Sequence, residues 1–189
     1  TGPTGPNGSF EIVVKIGATG NTFTIPFANN PATRAGETIM IDWGDGSPIE
    51  QVTLMGTGIQ EISHTYTAQR EYTIKVDGNI PRIVFSSNLA YGTGTPATSN
   101  QLQLVQVKNW GTSKWTNLNR MFAGCENLAT VDGVPDFSMA IDMERMFQSC
   151  KNLVNIDLSS FNTSTVTNMY IMFASCNALT SLTFSPSFN

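Results

Sequence analysis

Histidine and positive charge are both scarce in this chain. Of 189 residues one is histidine, His64, and ten Lys or Arg stand against fourteen Asp or Glu, for a formal net charge of −4 and a pI near 4.8. Without a basic stripe there is nothing to neutralise a run of phosphates, which speaks against nucleic acid as a partner. No apolar stretch approaches the roughly 20 residues of a membrane-crossing helix, and no signal-peptide core is present, so no membrane span is expected. Charged residues amount to 13 %, yet 40 % hydrophobic content places the chain among folded proteins rather than disordered ones. There are three cysteines, an odd number that does not suit a disulfide framework. The phosphate-binding G-x-x-x-x-G-K-S/T, the zinc-binding H-E-x-x-H and the nucleophile elbow G-x-S-x-G are all missing. The chain therefore reads as a non-enzyme with no cofactor and no metal.

What is present falls into segments. Residues 1–9 carry Gly2, Gly5 and Gly8 at a period of three, with Pro3 and Pro6 after two of them. That is the Gly-X-Y spacing of a collagen triple helix, in which only Gly fits at the axis. Two readings stay open: the end of a trimeric stalk, implying a homotrimer, or a flexible linker.

Residues 10–85 are rich in β-branched and aromatic residues, in short runs at 10–16, 22–27, 38–43, 49–54, 59–65, 72–76 and 80–85. Gly, Asn, Asp and Pro clusters separate the runs, and no helical period intervenes, so an antiparallel sandwich is expected. The punctuation is specific: Asp42-Trp43-Gly44-Asp45-Gly46-Ser47, then His64-Thr65-Tyr66, then Tyr72-Thr73-Ile74-Lys75-Val76. This resembles the PKD family of immunoglobulin-like sandwiches, with an aromatic displaced to follow Asp42 and Glu71 where a Gly often stands. Gly44 and Gly46 permit the tight turn, and Asp45 and Ser47 are placed to hydrogen-bond its backbone. Residues 86–101 read as a connector.

From residue 102 to 189 the chain repeats. Met121-Phe122, Met146-Phe147 and Met172-Phe173 recur at intervals of 25 and 26 residues, each followed in register by Cys125, Cys150 or Cys176 and then Leu128, Leu153 or Leu179. A strand is expected around Val105, Val131, Ile156 and Leu182, with a helix after each at 117–123, 142–148 and 168–174. The L/M-x-x-M-F-x-x-C-x-x-L spacing resembles the BspA-type leucine-rich repeats of bacterial surface proteins, and the period is that of stacked repeats. The fold expected is thus multidomain: an all-β immunoglobulin-like (PKD-like) sandwich followed by an α/β leucine-rich-repeat solenoid. Cysteine at one register of every unit is explained by packing, since free Cys behaves as a small hydrophobe. A metal site would want short ligand spacings, and a thiol nucleophile would want a base near it.

Few other residues bear on chemistry. His64 reads as a strand residue bonded to a nearby turn. Asp42 and Asp45 lack the alternating oxygen ligands and terminal Glu of a calcium loop. Trp110 and Trp115 occupy core positions of the repeat, and Trp43 fits a core role beside its turn. Outward positions on the repeat strands are Gln106, Lys108, Thr130, Asp132, Asn155, Asp157, Ser181 and Thr183. Side by side they make a polar, slightly acidic ribbon, readable as a ligand-binding surface or as a merely solvated face. Three functions are compatible: an extracellular adhesion or recognition module for a protein or glycan on a cell or matrix surface, the tip of a trimeric phage or viral fibre, and an accessory module of a glycan-active enzyme.

Overall fold

The computed structural model describes residues 8–17, 20–29, 36–56, 58–80, 82–86 and 99–184. The Gly-X-Y segment up to Asn7 and most of the expected connector lie outside these residues.

Six of the seven expected N-terminal runs form strands. They are β1 (Phe10–Lys15), β2 (Thr22–Asn29), β3 (Thr38–Asp42), β4 (Glu50–Thr53), β5 (Gly58–Thr65) and β6 (Glu71–Asp77). Alternation decides which side chains turn inward: in β6, Tyr72, Ile74 and Val76 are buried while Glu71 and Lys75 are exposed. The seventh run does not form a strand; Ile83 makes one isolated bridge to Phe27. A short helix α1 (Ser99–Gln103) leads into β7 (Leu104–Trp110), and β8 (Thr130–Val131), β9 (Asn155–Leu158) and β10 (Ser181–Phe184) follow.

The expected division into an immunoglobulin-like (PKD-like) sandwich and a separate α/β leucine-rich-repeat solenoid is overturned. The described residues form one mostly β domain with almost no helix. Its main sheet runs β4-β3-β6-β1-β7-β8, so a strand from the repeat region is stitched directly onto β1, with Ile12 opposite Val107 and Phe10 opposite Trp110. β2 and β5 form a second, two-stranded sheet, and β9 and β10 a third. One hydrophobic cluster extends from Phe10 and Trp43 through Trp110 to Cys150 and Phe161.

Several contacts close the seam between the halves. Phe10 meets Trp115 edge-on with ring centres 5.3 Å apart. Ser113 accepts the Ile80 amide at 3.0 Å and donates to the Gly78 carbonyl at 3.2 Å. The Arg82 guanidinium reaches the Asn119 carbonyl at 2.8 Å. At Gly111, φ is 69° and a Cβ would stand 2.7 Å from both the Gly8 carbonyl oxygen and the Phe10 nitrogen, so the approach requires glycine.

The three expected helices are absent for a reason visible in the backbone accounting. An α-helix returns each N–H to the carbonyl four residues back. Here alternate amides leave the turn instead and reach the next one: Leu118 to Asp142, Arg120 to Glu144, Phe122 to Met146 and Gly124 to Gln148, at 2.8 to 2.9 Å. The same set recurs one turn later, from Met143, Arg145, Phe147 and Ser149 to Asn168, Tyr170, Met172 and Ala174. The amides between them close short local turns, such as Met121 to Leu118 and Cys125 to Phe122. Left-handed residues at Arg120, Arg145 and Ile171, and again at Gly124, Ser149 and Ser175, interrupt any helical run.

Stacked turns put like side chains over like. Phe122 lies on Phe147 and Phe147 on Phe173, with ring centres 5.5 Å apart in both pairs and interplanar angles of 17° and 5°. Trp110, Phe137 and Phe161 form a second aromatic group, with neighbouring centres 5.2 and 5.1 Å apart.

Candidate binding surface

The eight outward positions divide into two groups. In the first, β7 and β8 pair in parallel with Gln106 opposite Thr130 and Val107 opposite Val131. The Gln106 amide donates to Asp132 Oδ2 at 2.7 Å, and Lys108, Thr130 and Asp132 are exposed. In the second, β9 and β10 pair in parallel with Asn155 opposite Ser181 and Asp157 opposite Thr183, all four exposed. Asp157 is partly committed: its Oδ1 accepts the Ser159 amide at 2.8 Å. Hydrogen bonds from Ser159 hold the Asp157 carboxyl below the usual carboxylate range, so it stays charged in mild acid.

No ladder joins β8 to β9, so the expected ribbon is two strips rather than one. The cause is local. β8 is only two residues long, and Asp132-Gly133-Val134-Pro135 follows it, with Gly133 at a φ of 82° and a proline that has no N–H to give. Register differs too. Val107, fully buried, takes the place expected for Val105. Lys108 beside it is exposed, while Val105 and Gln106 are both half-buried.

The cysteines fill the interior of the turns. Cys125 and Cys150 are fully buried and Cys176 is half-buried, and all three are free thiols. Cys150 Sγ donates to the Phe122 carbonyl at 3.4 Å and Cys176 Sγ to the Phe147 carbonyl at 3.0 Å. Burial pushes all three thiols up, so none is poised as a nucleophilic thiolate.

His64 does bond the turn. Its Nε2 lies 2.7 Å from Asp45 Oδ2, and its ring stacks on Trp43 with centres 5.0 Å apart and 12° between planes. Asp42 and Asp45 cap the turn locally by accepting the Gly44 and Ser47 amides at 2.9 and 3.0 Å. Trp43, 1 % exposed, donates its indole N–H to Glu50 at 2.9 Å. Trp110 and Trp115 are wholly buried, so none of the three tryptophans offers a face to a sugar ring. Among the described residues no three His, Cys, Asp or Glu side chains gather as a metal would require, and no helix is long and apolar enough to cross a membrane.

Two features escape the sequence reading. Arg145, half-buried, sits over the Tyr170 ring with its guanidinium carbon 5.8 Å from the centroid. The third turn is also more open than the first two, although the repeat gives all three the same apolar pattern.

Residues 95–185 match the model of a family described as "Mycoplasma protein of unknown function, DUF285". That stretch covers the repeats and the chain just ahead of them. No curated protein and no solved structure matches the chain.

Proposed function

We propose that this protein is an extracellular, non-enzymatic adhesion or recognition module of the BspA surface-protein type, which binds a protein or glycan on a cell or matrix surface through the outward strips of its repeat strands. The carrying observation is the exposure of Lys108, Thr130 and Asp132 on or beside the paired strands β7 and β8, and of Asn155, Asp157, Ser181 and Thr183 on the paired strands β9 and β10. Short polar side chains on such strands lose little conformational freedom on binding, and the strands beneath them are held by the stacked core.

Glycan and matrix-protein arrays probed with the folded chain test the reading. A ligand bound through these strips should lose at least tenfold in affinity with Asn155→Arg or Thr183→Arg, and be untouched by Glu61→Lys on β5. Equal binding by all variants would remove the strips from consideration. The Gly2, Gly5 and Gly8 spacing supports a second reading, the tip of a trimeric phage or viral fibre. A trimer by sedimentation that reverts to monomer when residues 1–9 are removed would favour the fibre.

A further inference from the structure

The two-stranded sheet of β2 and β5 is finished along one edge and bare along the other. On the β2 side, the Ala28 amide donates to the Arg82 carbonyl at 2.9 Å and the Pro26 carbonyl accepts the Val84 amide at 3.1 Å. The Thr24 amide donates to Asn100 Oδ1 at 3.1 Å. β5 has no such cover. The Tyr66 amide donates to the Asn21 carbonyl at 2.9 Å, and the ladder continues from that bond in unbroken register, from Thr22 opposite Thr65 to Asn29 opposite Gly58. Alternation then turns the backbone of His64, Ile62 and Gln60 toward β2, and that of Thr65, Ser63, Glu61 and Ile59 away from it. Among the described residues the amides and carbonyls of those last four meet no partner.

Open strand edges are ordinarily guarded by proline, lysine, a bulge or brevity. The eight residues of β5 include neither proline nor lysine, and their register never shifts. The side chains record the same opening. Ile25 and Ile62 stand opposite each other in the ladder and both pack on the core, yet Ile25 is fully buried and Ile62 half-buried. Charge indicates what would fit there. Residues 36–69 carry Glu37, Asp42, Asp45, Glu50 and Glu61 but no Lys or Arg, so the negative charge of the chain is concentrated in β3, β4, β5 and their turns.

We propose that the open edge of β5 binds an extended peptide as a third strand, one in which apolar residues alternate with Lys or Arg. The peptide backbone continues the ladder, and its alternate side chains fall on opposite faces of the sheet. The apolar set lies inward beside Ile62, and the cationic set lies outward beside Glu61, an opposite-charge cross-strand pair. A second copy of β5 does not fit this description, because it would bring the same carboxylates against the first.

The probe is a synthetic peptide, Lys-Val-Lys-Ile-Lys-Val-Lys-Val, blocked at both ends and added to the full chain. Fluorescence anisotropy should show saturable binding. Hydrogen exchange at the Ile59, Glu61, Ser63 and Thr65 amides should slow at least tenfold, with the amides of β10 unchanged. A peptide with Glu in place of every Lys should not bind, and neither should one N-methylated at every residue, which keeps the charge and loses the ladder. Ser63→Pro removes an outward amide without touching the bonds to β2, and should weaken binding at least tenfold in a chain that circular dichroism reports as folded. Glu61→Lys, which should spare the polar strips, should weaken this peptide equally, and it decides the matter if Ser63→Pro does not fold. Equal binding of the acidic or the N-methylated peptide, or unchanged exchange at the four amides, overturns the proposal. So does slow exchange at those amides before any peptide is added, because the edge would then already be covered.

Discussion

The aromatic column allows one substitution to be compared at three heights. Phe122, Phe147 and Phe173 are equivalent by sequence, but Phe122 and Phe147 are fully buried and Phe173 is half-buried. Phe147 is stacked on both sides, at 5.5 Å from each neighbour, and Phe122 lies between Phe85 at 6.1 Å and Phe147 at 5.5 Å. Among the described residues Phe173 has a stacked neighbour on one side only. A buried Phe→Ala change costs about 3–5 kcal/mol through lost transfer energy and the cavity left behind. Each aromatic contact adds roughly 0.5–1.5 kcal/mol beyond area. Phe147→Ala and Phe122→Ala should therefore fall near the top of that range, about 4–5 kcal/mol. Phe173→Ala removes about half the buried area and one contact, and opens its cavity to solvent, so about 2 kcal/mol is expected. Urea unfolding followed by circular dichroism measures this as shifts in midpoint at constant slope. Should Phe173→Ala cost as much as Phe147→Ala, the half-burial and single stack of Phe173 do not set its contribution and the comparison fails.

Four further outcomes are expected. A thiol reagent should label Cys176 before Cys125 and Cys150, which should react only as the protein unfolds; simultaneous rapid labelling of all three would contradict their burial. Gly44→Ala should destabilise more than Gly46→Ala, by about 2 kcal/mol against about 1, because both have positive φ but only at Gly44 would the added Cβ collide with the Thr73 carbonyl; thermal melts compare them. Asp45 is held well below the usual carboxylate range by hydrogen bonds from Ser47 first and His64 second. A carboxyl depressed in the folded state contributes fully above its unfolded value of about 3.9 and loses that contribution as pH falls toward the folded one, so the stability gap between wild type and Asp45→Asn should hold from pH 5 to pH 4 and shrink only in stronger acid. Finally, with one core crossing the seam, Trp fluorescence and Cys150 accessibility should report the same unfolding midpoint; two separated transitions would mean that the halves fold apart.

The strands of the N-terminal half were legible because period-two burial writes itself into composition. Phe10, Ile12 and Val14 alternate with Glu11 and Lys15, and a strand was placed there to within one residue. The seventh run shared that composition but contains Pro81, and its Phe85 was taken up by another partner. The repeat period and the burial of its cysteines were legible for a similar reason: like residues recur where like environments recur. The conformation of each turn was not. Spacings of three and four between apolar residues, as from Leu118 to Met121 and Phe122 and on to Cys125, suit a helix, and they suit equally well a chain that turns every three residues. What separates the two is the destination of alternate amides, which side-chain pattern does not encode. The outward strips were legible as a set and not as a surface. In β7 Val107 is buried and Lys108 exposed, while Val105 and Gln106 are both half-buried, and the gap between β8 and β9 depends on Gly133 and Pro135 ending a strand early.

Why the halves could not be separated by sequence comes down to Phe85. Three Met-Phe pairs mark three turns, but four phenylalanine rings stand in the column. The Phe85 amide donates to the Met121 carbonyl at 3.0 Å, the bond that Phe122 makes to Met146 at 2.9 Å and Phe147 to Met172 at 3.0 Å. Its ring lies parallel to Phe122 to within 17°. Phe85 thus does for the first turn what the first does for the second, without a preceding Met, a following Cys or any other mark of the repeat. Phe122 is fully buried in the first turn because a residue of the β-rich half covers it. A boundary drawn between the Gly78 turn and β7 would expose Phe122 and Trp110 on one side and Phe10 and Phe85 on the other, all four now at most 3 % exposed. Neither part could keep those rings from water alone, which is the physical content of calling the chain one domain.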